Sequence, residues 1–336
     1  MGFASASRLQ QSASLLQCSV KTIRNFPRNC FSLRLAAGPT LADGEFRQRA
    51  ALMKNPRLAP TAVLFVLFCF LKQSANLNAA SPELADLLLK ESGFTGGFVV
   101  ELGSQSSELA TALRQSEATQ IQGLVREPGR LASLRESVRE AGQYGNIAFE
   151  NFSGETLPYT DNLVNLFITE DLGNVPLHEV LRVLVPRGVA MIKSGDKWEK
   201  TVKPRPEDID EWSHYLHDAT GNSVAHDDQV APPRHLQWVG SPRWSRHHDR
   251  MASMSALVST GGRMFYIMDE GSRISIQLPP KWKLIARDAF NGSVLWKRDI
   301  ENWQTHLWPL KSGPTQLSRR LVSSEDTVFT TLGYNA

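Results

Sequence analysis

The chain has 336 residues, a formal net charge of +3 and a hydrophobic content of 41%, which is enough for about two domains. The positive charge is concentrated at the beginning, because residues 1–80 hold ten Lys/Arg and only two acidic residues. The remaining chain is therefore mildly acidic. It lacks the basic surface that follows a phosphate backbone, so we expect no nucleic-acid partner.

The segment 53–80 is typical of a secretory signal peptide. Lys54 and Arg57 precede an uncharged apolar run, residues 61–71, and small residues follow it up to Ala80. The run is too short to cross a bilayer, so the alternatives are an interfacial anchor or a buried strand. We expect an exported protein of the periplasm or cell envelope, with membrane contact only through this segment.

Residues 1–52 are Ser- and Arg-rich. We interpret them as a disordered leader or an extension from a misplaced start, with an organelle transit peptide as the competing interpretation. The three cysteines, Cys18, Cys30 and Cys69, all precede the predicted cleavage point. We therefore expect neither disulfides nor thiolate metal ligands in the mature chain.

Residues 81–194 alternate between helical and strand patterns, which indicates a doubly wound α/β domain with a parallel sheet. Ser81 and Pro82 open the first helix and Gly93 ends it. The predicted strands are 98–102, 121–125, 147–149, 163–168 and 189–193, and the later helices are 106–114, 128–141 and 177–184.

Three segments of this domain resemble the class I S-adenosylmethionine-dependent methyltransferases. Val99–Gly103 is similar to their first motif, and Leu157–Asn162 to the Leu-Pro-x-x-Asp segment before their fourth strand. Glu179–Gly188 is similar to their Glu-x-x-Arg-Val-Leu-x-Pro-Gly-Gly ending. The resemblance implies a Rossmann-like fold with S-adenosylmethionine bound at the carboxyl ends of the strands.

The resemblance also implies which residues would contact that cofactor, and several depart from the family. Val125 stands where the family has the ribose-binding acid, and Gln105 and Ser107 replace loop glycines. We therefore expect a degenerate site, and we assign no catalytic residue. The candidate cofactor-binding residues are Glu101, Gly103, Gln105, Glu127 (two residues beyond the ribose position) and Ser153 (at the adenine position).

Residues 195–250 are rich in charge, Pro and His and show little periodicity, so they are predicted to be a linker with loops. A His-x-x-His pair and a His-His-Asp triplet could ligate a metal. We favour loop histidines and predict no metal site. The histidines and nearby acids are His214, His217, His226, His235, His247, His248, Asp218 and Asp249.

Residues 251–336 change to a β pattern, with predicted hairpins 255–268 and 284–297 and a third pair beginning at 321. Ala286–Trp296 resembles the Ala-x-Asp-x-x-Thr-Gly-x-x-x-Trp docking motif of quinoprotein-type β-propellers. The wider segment from Asp210 to Tyr334 resembles bacterial envelope proteins that join a methyltransferase-like domain to such a propeller. The resemblance implies that Trp296 packs against an adjoining blade. The span supplies about two blades of the four or more that a propeller needs, so we expect a truncated propeller without bound pyrroloquinoline quinone.

Three functions remain open from the sequence. The first is an S-adenosylmethionine-dependent methyltransferase-like protein with a degenerate site. The second is an exported, non-enzymatic scaffold whose propeller binds an unknown protein or small molecule. The third is a fragment of a quinone-dependent dehydrogenase.

Overall fold

The α/β pattern of the sequence is confirmed by a computed structural model. The structure describes residues 21–23, 82–228, 232, 236–242, 245–246, 253–275, 278–301, 303, 315–325 and 327–332. The helices of the α/β part are α1 (Pro82–Ser92), α2 (Glu108–Leu113), α3 (Leu131–Glu140) and α4 (Leu177–Val183). Its strands are β2 (Gly97–Leu102), β3 (Thr119–Val125), β4 (Ile147–Asn151), β5 (Val164–Thr169), β6 (Leu184–Ser194) and β7 (Lys197–Val202).

These strands form one sheet in the order β4-β3-β2-β5-β6-β7. The first five strands are parallel, and β7 pairs antiparallel with β6. The residues of β2 and β5 are almost all buried, as expected for strands that are covered on both faces. Val100 and Leu102 of β2 pack with Val180 and Val183 of α4 in one apolar cluster.

Two local signals at the start of this domain, Pro82 and Gly93, agree with the structure, whereas Ser81 lies outside the described residues. Helix α1 begins at Pro82 and ends at Ser92, and Gly93 follows it with a φ of +72°. That left-handed conformation closes a helix at little cost only when the residue is glycine. The predicted helix 128–141 is divided, because a short 3-10 turn at Pro128–Arg130 precedes α3.

The end of the domain differs from the prediction. Strand β6 begins at Leu184 directly after α4, five residues before the predicted start, and its register shifts opposite Val164 and Leu166. The sheet then continues through β7 to Val202, where the sequence suggests a linker from residue 195 onward. The hairpin was missed because the exposed faces of β7 carry Lys and Glu rather than apolar residues.

The second half contains the predicted antiparallel hairpins. Strands β8 (Met254–Thr260), β9 (Arg263–Asp269), β10 (Trp282–Asp288) and β11 (Val294–Asp299) form a four-stranded sheet in the order β11-β10-β9-β8. After a 3-10 turn at Thr315–Arg320 come β12 (Leu321–Ser324) and β13 (Thr327–Thr330). An apolar cluster that includes Phe265, Trp303 and Leu321 joins the two sheets.

The third sheet has the order β1-β13-β12, in which β1 (Lys21–Ile23) pairs antiparallel with β13. This strand lies in the leader, where the sequence suggests no fold. The predicted signal segment 53–80 and the rest of the leader lie outside the described residues. Among the helices that the structure describes, none has the length and apolarity required to span a membrane.

Candidate functional site

The candidate site lies at the point where the order of the strands along the parallel sheet reverses. Strand β2 has β3 on one side and β5 on the other, so the connections after β2 and β5 lead to opposite edges. In such sheets, ligands bind in the crevice outside the carboxyl ends of these two strands. Leu102 and Thr169 are register partners there and mark the floor of the crevice.

The loop after β2 keeps the backbone of a ligand-binding turn. Gly103 has a φ of +85°, and a Cβ added to it would meet no atom within 4 Å. The backbone N–H groups of Gly103 and Ser104 both donate to the Leu124 carbonyl, at 2.8 and 3.1 Å. The Ser107 hydroxyl is hydrogen-bonded to the Ser137 hydroxyl of α3 at 2.7 Å, so it serves packing between helices.

Glu101 is the buried acid of this site. It lies on β2, and its Oε2 atom is buried without a hydrogen-bond partner. Burial raises the pKa of Glu101 to about 7, because the ionised carboxylate loses its hydration. A cationic group placed beside Oε2 would stabilise the ionised form.

An ion pair that the sequence did not suggest lies across the carboxyl end of β2. Arg126 follows β3 and Asp171 follows β5, so their contact passes over the intervening strand. The Arg126 guanidinium donates to the Asp171 carboxylate at 3.1 Å and to the Asp171 carbonyl at 2.7 Å. The backbone N–H of Gly173 and, second to it, the Arg126 guanidinium lower the pKa of Asp171. We call this pair the Arg126–Asp171 bridge.

The loop between β5 and α4 is built to hold that bridge. The Thr169 hydroxyl lies 3.0 Å from the Leu102 carbonyl and 2.7 Å from the Asp171 carbonyl, and thereby ties the loop to β2. Gly173 has a φ of +56°, and a Cβ there would lie 2.8 Å from the Arg126 guanidinium, so a larger residue would displace the end of that side chain.

The predicted contacts for a nucleoside are weakly formed. Val125 ends β3 as a buried apolar residue, and Glu127 is exposed and paired with Arg130 at 2.6 Å. Arg130 also donates to the Gln105 carbonyl at 3.4 Å, while the Gln105 side chain is exposed. Ser153 is exposed two residues beyond β4.

The structure therefore brings Glu101, Gly103, Gln105, Glu127 and Ser153 to one edge of the sheet. Of these five residues, Glu101 is buried and Gly103 has a left-handed backbone conformation. The other three are exposed.

The other two methyltransferase-like segments are joined to each other. The buried Glu179 carboxylate accepts from the Leu157 N–H at 2.7 Å and from the Arg182 Nε at 2.8 Å. Arg182 also donates to Asp161 at 2.6 Å and to the Tyr159 carbonyl at 2.9 Å. These motif residues hold the loop before β5 against α4, so their role here is structural.

A cavity of about 520 Å³ lies away from the crevice. It is lined in part by Gly96, Asn165, Arg187, Arg263 and Asp288, which places it at the amino ends of β2 and β5. Ligands of doubly wound sheets bind at the opposite end. We therefore do not assign a methyl donor to this cavity.

Comparison with known proteins is consistent with this picture but adds little to it. No protein-family description and no curated protein matches the chain. Similar solved structures include a Methanococcus maripaludis protein assigned as an S-adenosyl-L-methionine-dependent methyltransferase, with 20% identity and a TM-score of 0.31 over 33% of this chain and 53% of that one. The [4+2]-cyclase SpnF is 23% identical, with a TM-score of 0.32 over 39% of this chain and 55% of its own.

Geranyl diphosphate C-methyltransferase from Streptomyces coelicolor, solved with Mg²⁺, geranyl diphosphate and S-adenosyl-L-homocysteine, is 15% identical. Its TM-score is 0.30 over 42% of this chain and 53% of that one. The chain thus spans about half the length of these structures. At such TM-scores the fold assignment rests on the strand order and the motifs alone.

Proposed function

We propose that residues 82–202 form a methyltransferase-like domain whose S-adenosylmethionine site is degenerate, and that the chain acts as a binding scaffold. The observation that carries the proposal is the loss of the expected nucleoside anchors, because Val125 is a buried apolar residue and the Gln105 and Ser153 side chains are exposed. The Arg126–Asp171 bridge adds to this deficit. Its guanidinium lies above the carboxyl end of β2, where the resemblance places the cofactor. A ligand in that position would first have to displace the bridge.

The cost of displacing the bridge is modest, because both partners are partly exposed. The larger deficit lies in the missing anchors at Val125, Gln105 and Ser153. Each unmade hydrogen bond to a buried polar ligand atom costs about 1–3 kcal/mol. Three of them would weaken binding by roughly two to six decades, since about 1.4 kcal/mol is tenfold.

The second half supports the scaffold role through a blade-like sheet. The Asp288 carboxylate accepts from the N–H groups of Phe290 at 2.8 Å and Asn291 at 3.0 Å, which closes the turn of the docking motif. Trp296 contacts Phe265 of the same sheet, with ring centroids 6.1 Å apart. We propose that β8–β11 is one blade of a quinoprotein-type propeller and that the mature chain is exported. A quinone-dependent activity would rest on the docking motif alone.

A working methyltransferase is the second candidate, and one observation favours it. Glu101 keeps a buried, unpartnered oxygen near the end of β2, two residues before Gly103. A carboxylate in that position could bind the ammonium group of the methyl donor. The two candidates differ in whether the crevice admits that donor.

Isothermal titration of the full chain with S-adenosylhomocysteine distinguishes them. We expect no measurable heat with ligand at about 100 µM. We expect the Arg126→Ala variant to bind at least as well as the wild type, because it removes the bridge. Arg139→Ala, which removes an exposed arginine of α3, is the matched control. Micromolar binding by the wild type that Glu101→Gln abolishes would contradict the scaffold proposal.

A further inference from the structure

Three potential metal ligands converge in the segment between the two halves of the chain. Asp210, His217 and His226 each offer one ligand atom, and these atoms lie within 4.8 Å of one another. These three residues follow the parallel sheet in the sequence, and none of them contributes to the crevice described above. Composition alone suggested loop histidines without a metal, so the cluster is a feature of the folded chain.

Backbone hydrogen bonds fix the position of His217. Trp212 exchanges backbone hydrogen bonds with Ser259 of β8, at 3.0 and 2.7 Å, which anchors this part of the segment to the sheet. The His214 N–H donates to the His217 carbonyl, and His217 adopts a φ of +67°. This turn directs the His217 ring inward, where only 3% of the residue is exposed.

Three hydrogen bonds fix the position of Asp210. Its own N–H donates to the Asp227 carboxylate at 2.7 Å, and its Oδ1 atom accepts from the Glu211 N–H at 2.7 Å. Its Oδ2 atom, which faces the histidines, accepts from the His226 N–H at 2.7 Å. The carboxylate therefore stays in place whether or not an imidazole contacts it.

The distances between the ligand atoms suit a shared ion. Asp210 Oδ2 lies 2.7 Å from His217 Nε2 and 3.7 Å from His226 Nδ1. The two imidazole rings are 5.1 Å apart and nearly perpendicular, at 85°. A first-row metal ion lies about 2.0–2.2 Å from such nitrogen and oxygen ligands. Neighbouring ligand atoms are then about 3 Å apart, so small side-chain rotations would complete the site.

His217 has a second carboxylate near its other ring nitrogen. Its Nδ1 atom is buried and lacks a hydrogen-bond partner, and the nearest carboxylate oxygen, Oδ2 of Asp218, is 3.7 Å away. A histidine that ligates a metal through Nε2 commonly directs its other nitrogen toward a carboxylate, which fixes the ring orientation. Asp218 is placed to serve that purpose once the ring adjusts to an ion.

We propose that Asp210, His217 and His226 form a binding site for a divalent first-row transition metal ion such as Zn²⁺. Two imidazoles and one carboxylate are a ligand set for such ions, and they leave coordination positions free for water or a ligand. The His226 side chain is 72% exposed, so the free positions face solvent. The site could therefore bind an anionic or carbonyl oxygen of a partner molecule through the metal.

Titration of the full chain with Co²⁺, followed by its visible absorption, tests the proposal. We expect one equivalent to bind, with at least a tenfold loss of affinity in His226→Ala. His226 is exposed, so this variant should fold, which far-ultraviolet circular dichroism would check. His178→Ala removes an exposed histidine of α4 and should bind Co²⁺ like the wild type.

Two outcomes would overturn the proposal. One is the absence of stoichiometric Co²⁺ binding in the wild type. The other is binding that survives His226→Ala but disappears when His247 and His248, which lie outside the described residues, are both replaced by Ala. Neither result depends on S-adenosylhomocysteine binding, so this proposal and the proposed function can fail separately.

Discussion

The side-chain amide of Asn165 donates to the Asp288 carboxylate at 2.7 Å, and thereby connects the amino end of β5 to the last residue of β10 in the second half. The Asn165 Oδ1 atom also accepts from the Phe98 N–H at 2.8 Å and from the Asn291 amide at 2.6 Å. Gly97 permits this arrangement, because a Cβ there would lie 2.1 Å from Oδ1. One asparagine therefore joins two strands of the parallel sheet to the antiparallel part.

Replacing Asn165 with Ala should lower the free energy of unfolding by about 2–4 kcal/mol, because three hydrogen bonds are lost at a partly buried site. Asn222→Ala, at an exposed loop position, is the control and should change stability by less than about 0.5 kcal/mol. Urea unfolding followed by circular dichroism measures both. A value for Asn165→Ala as small as that of the control would show that this joint contributes little.

The joint also shows what sequence reasoning can reach. The helix ended by Gly93 and the strand Gly97–Leu102 follow from local capping and apolar runs, and both were predicted within one residue. Asn165 and Asp288 are 123 positions apart, so no local pattern could reveal their contact. The same holds for the Arg126–Asp171 bridge.

The candidate metal site illustrates a different limit. Its histidines were visible in the sequence, but the ligand that completes the set is Asp210, seven positions before His217. His217 has a positive φ although it is not a glycine, so the sequence contains no residue that predicts this turn.

The pH dependence of stability should report on Glu101. Its pKa is raised from 4.5 to about 7 in the folded state, so the folded chain binds the proton more tightly than the unfolded chain. This contribution favours folding below about pH 4.5 and is lost as the pH rises through about 7. Glu101→Gln should therefore be more stable than the wild type at pH 8, by up to about 3 kcal/mol.

The measurement is urea unfolding at several values between pH 5 and pH 8. Glu108→Gln, an exposed change in α2, is the matched control and should leave the profile unaltered. A difference between wild type and Glu101→Gln that stays constant across this range would contradict the raised pKa.

Gly103 and Gly129 form a matched pair for testing backbone strain. A Cβ would meet no atom within 4 Å at either position, but only Gly103 has a positive φ, +85°. Gly103→Ala should therefore destabilise the fold by about 1–2 kcal/mol through the left-handed backbone. Gly129→Ala should be neutral or stabilise it by up to about 1 kcal/mol. Thermal unfolding of both variants gives the comparison, and equal effects would refute the strain argument.

Arg182→Met should be among the most destabilising changes in the α/β domain. It leaves the buried Glu179 carboxylate without its ionic partner and frees the carbonyls of Leu157 and Tyr159. Removal of one partner from a buried pair costs about 3–5 kcal/mol, and the loss here should lie at the lower end because the Arg182 side chain is 29% exposed. Arg139→Met, which breaks only the exposed pair with Glu136, should cost less than about 1 kcal/mol.

The pH dependence of this pair has the opposite sign to that of Glu101. Arg182 lowers the pKa of Glu179 in the folded state, so the stabilisation is complete above its unfolded pKa and falls away as the pH drops through the folded value. The difference in unfolding free energy between wild type and Arg182→Met should therefore shrink in acid. A difference that does not change below pH 4.5 would argue against the ion pair.

Strand β11 occupies the outer position of its four-stranded sheet, and its last three residues, Lys297, Arg298 and Asp299, are exposed. An outer strand presents unsatisfied N–H and C=O groups that another chain can extend. The two positive charges and one negative charge make such an extension costly, because an incoming strand would have to desolvate them. Neutral residues at these three positions would turn the same strand into a template for self-association.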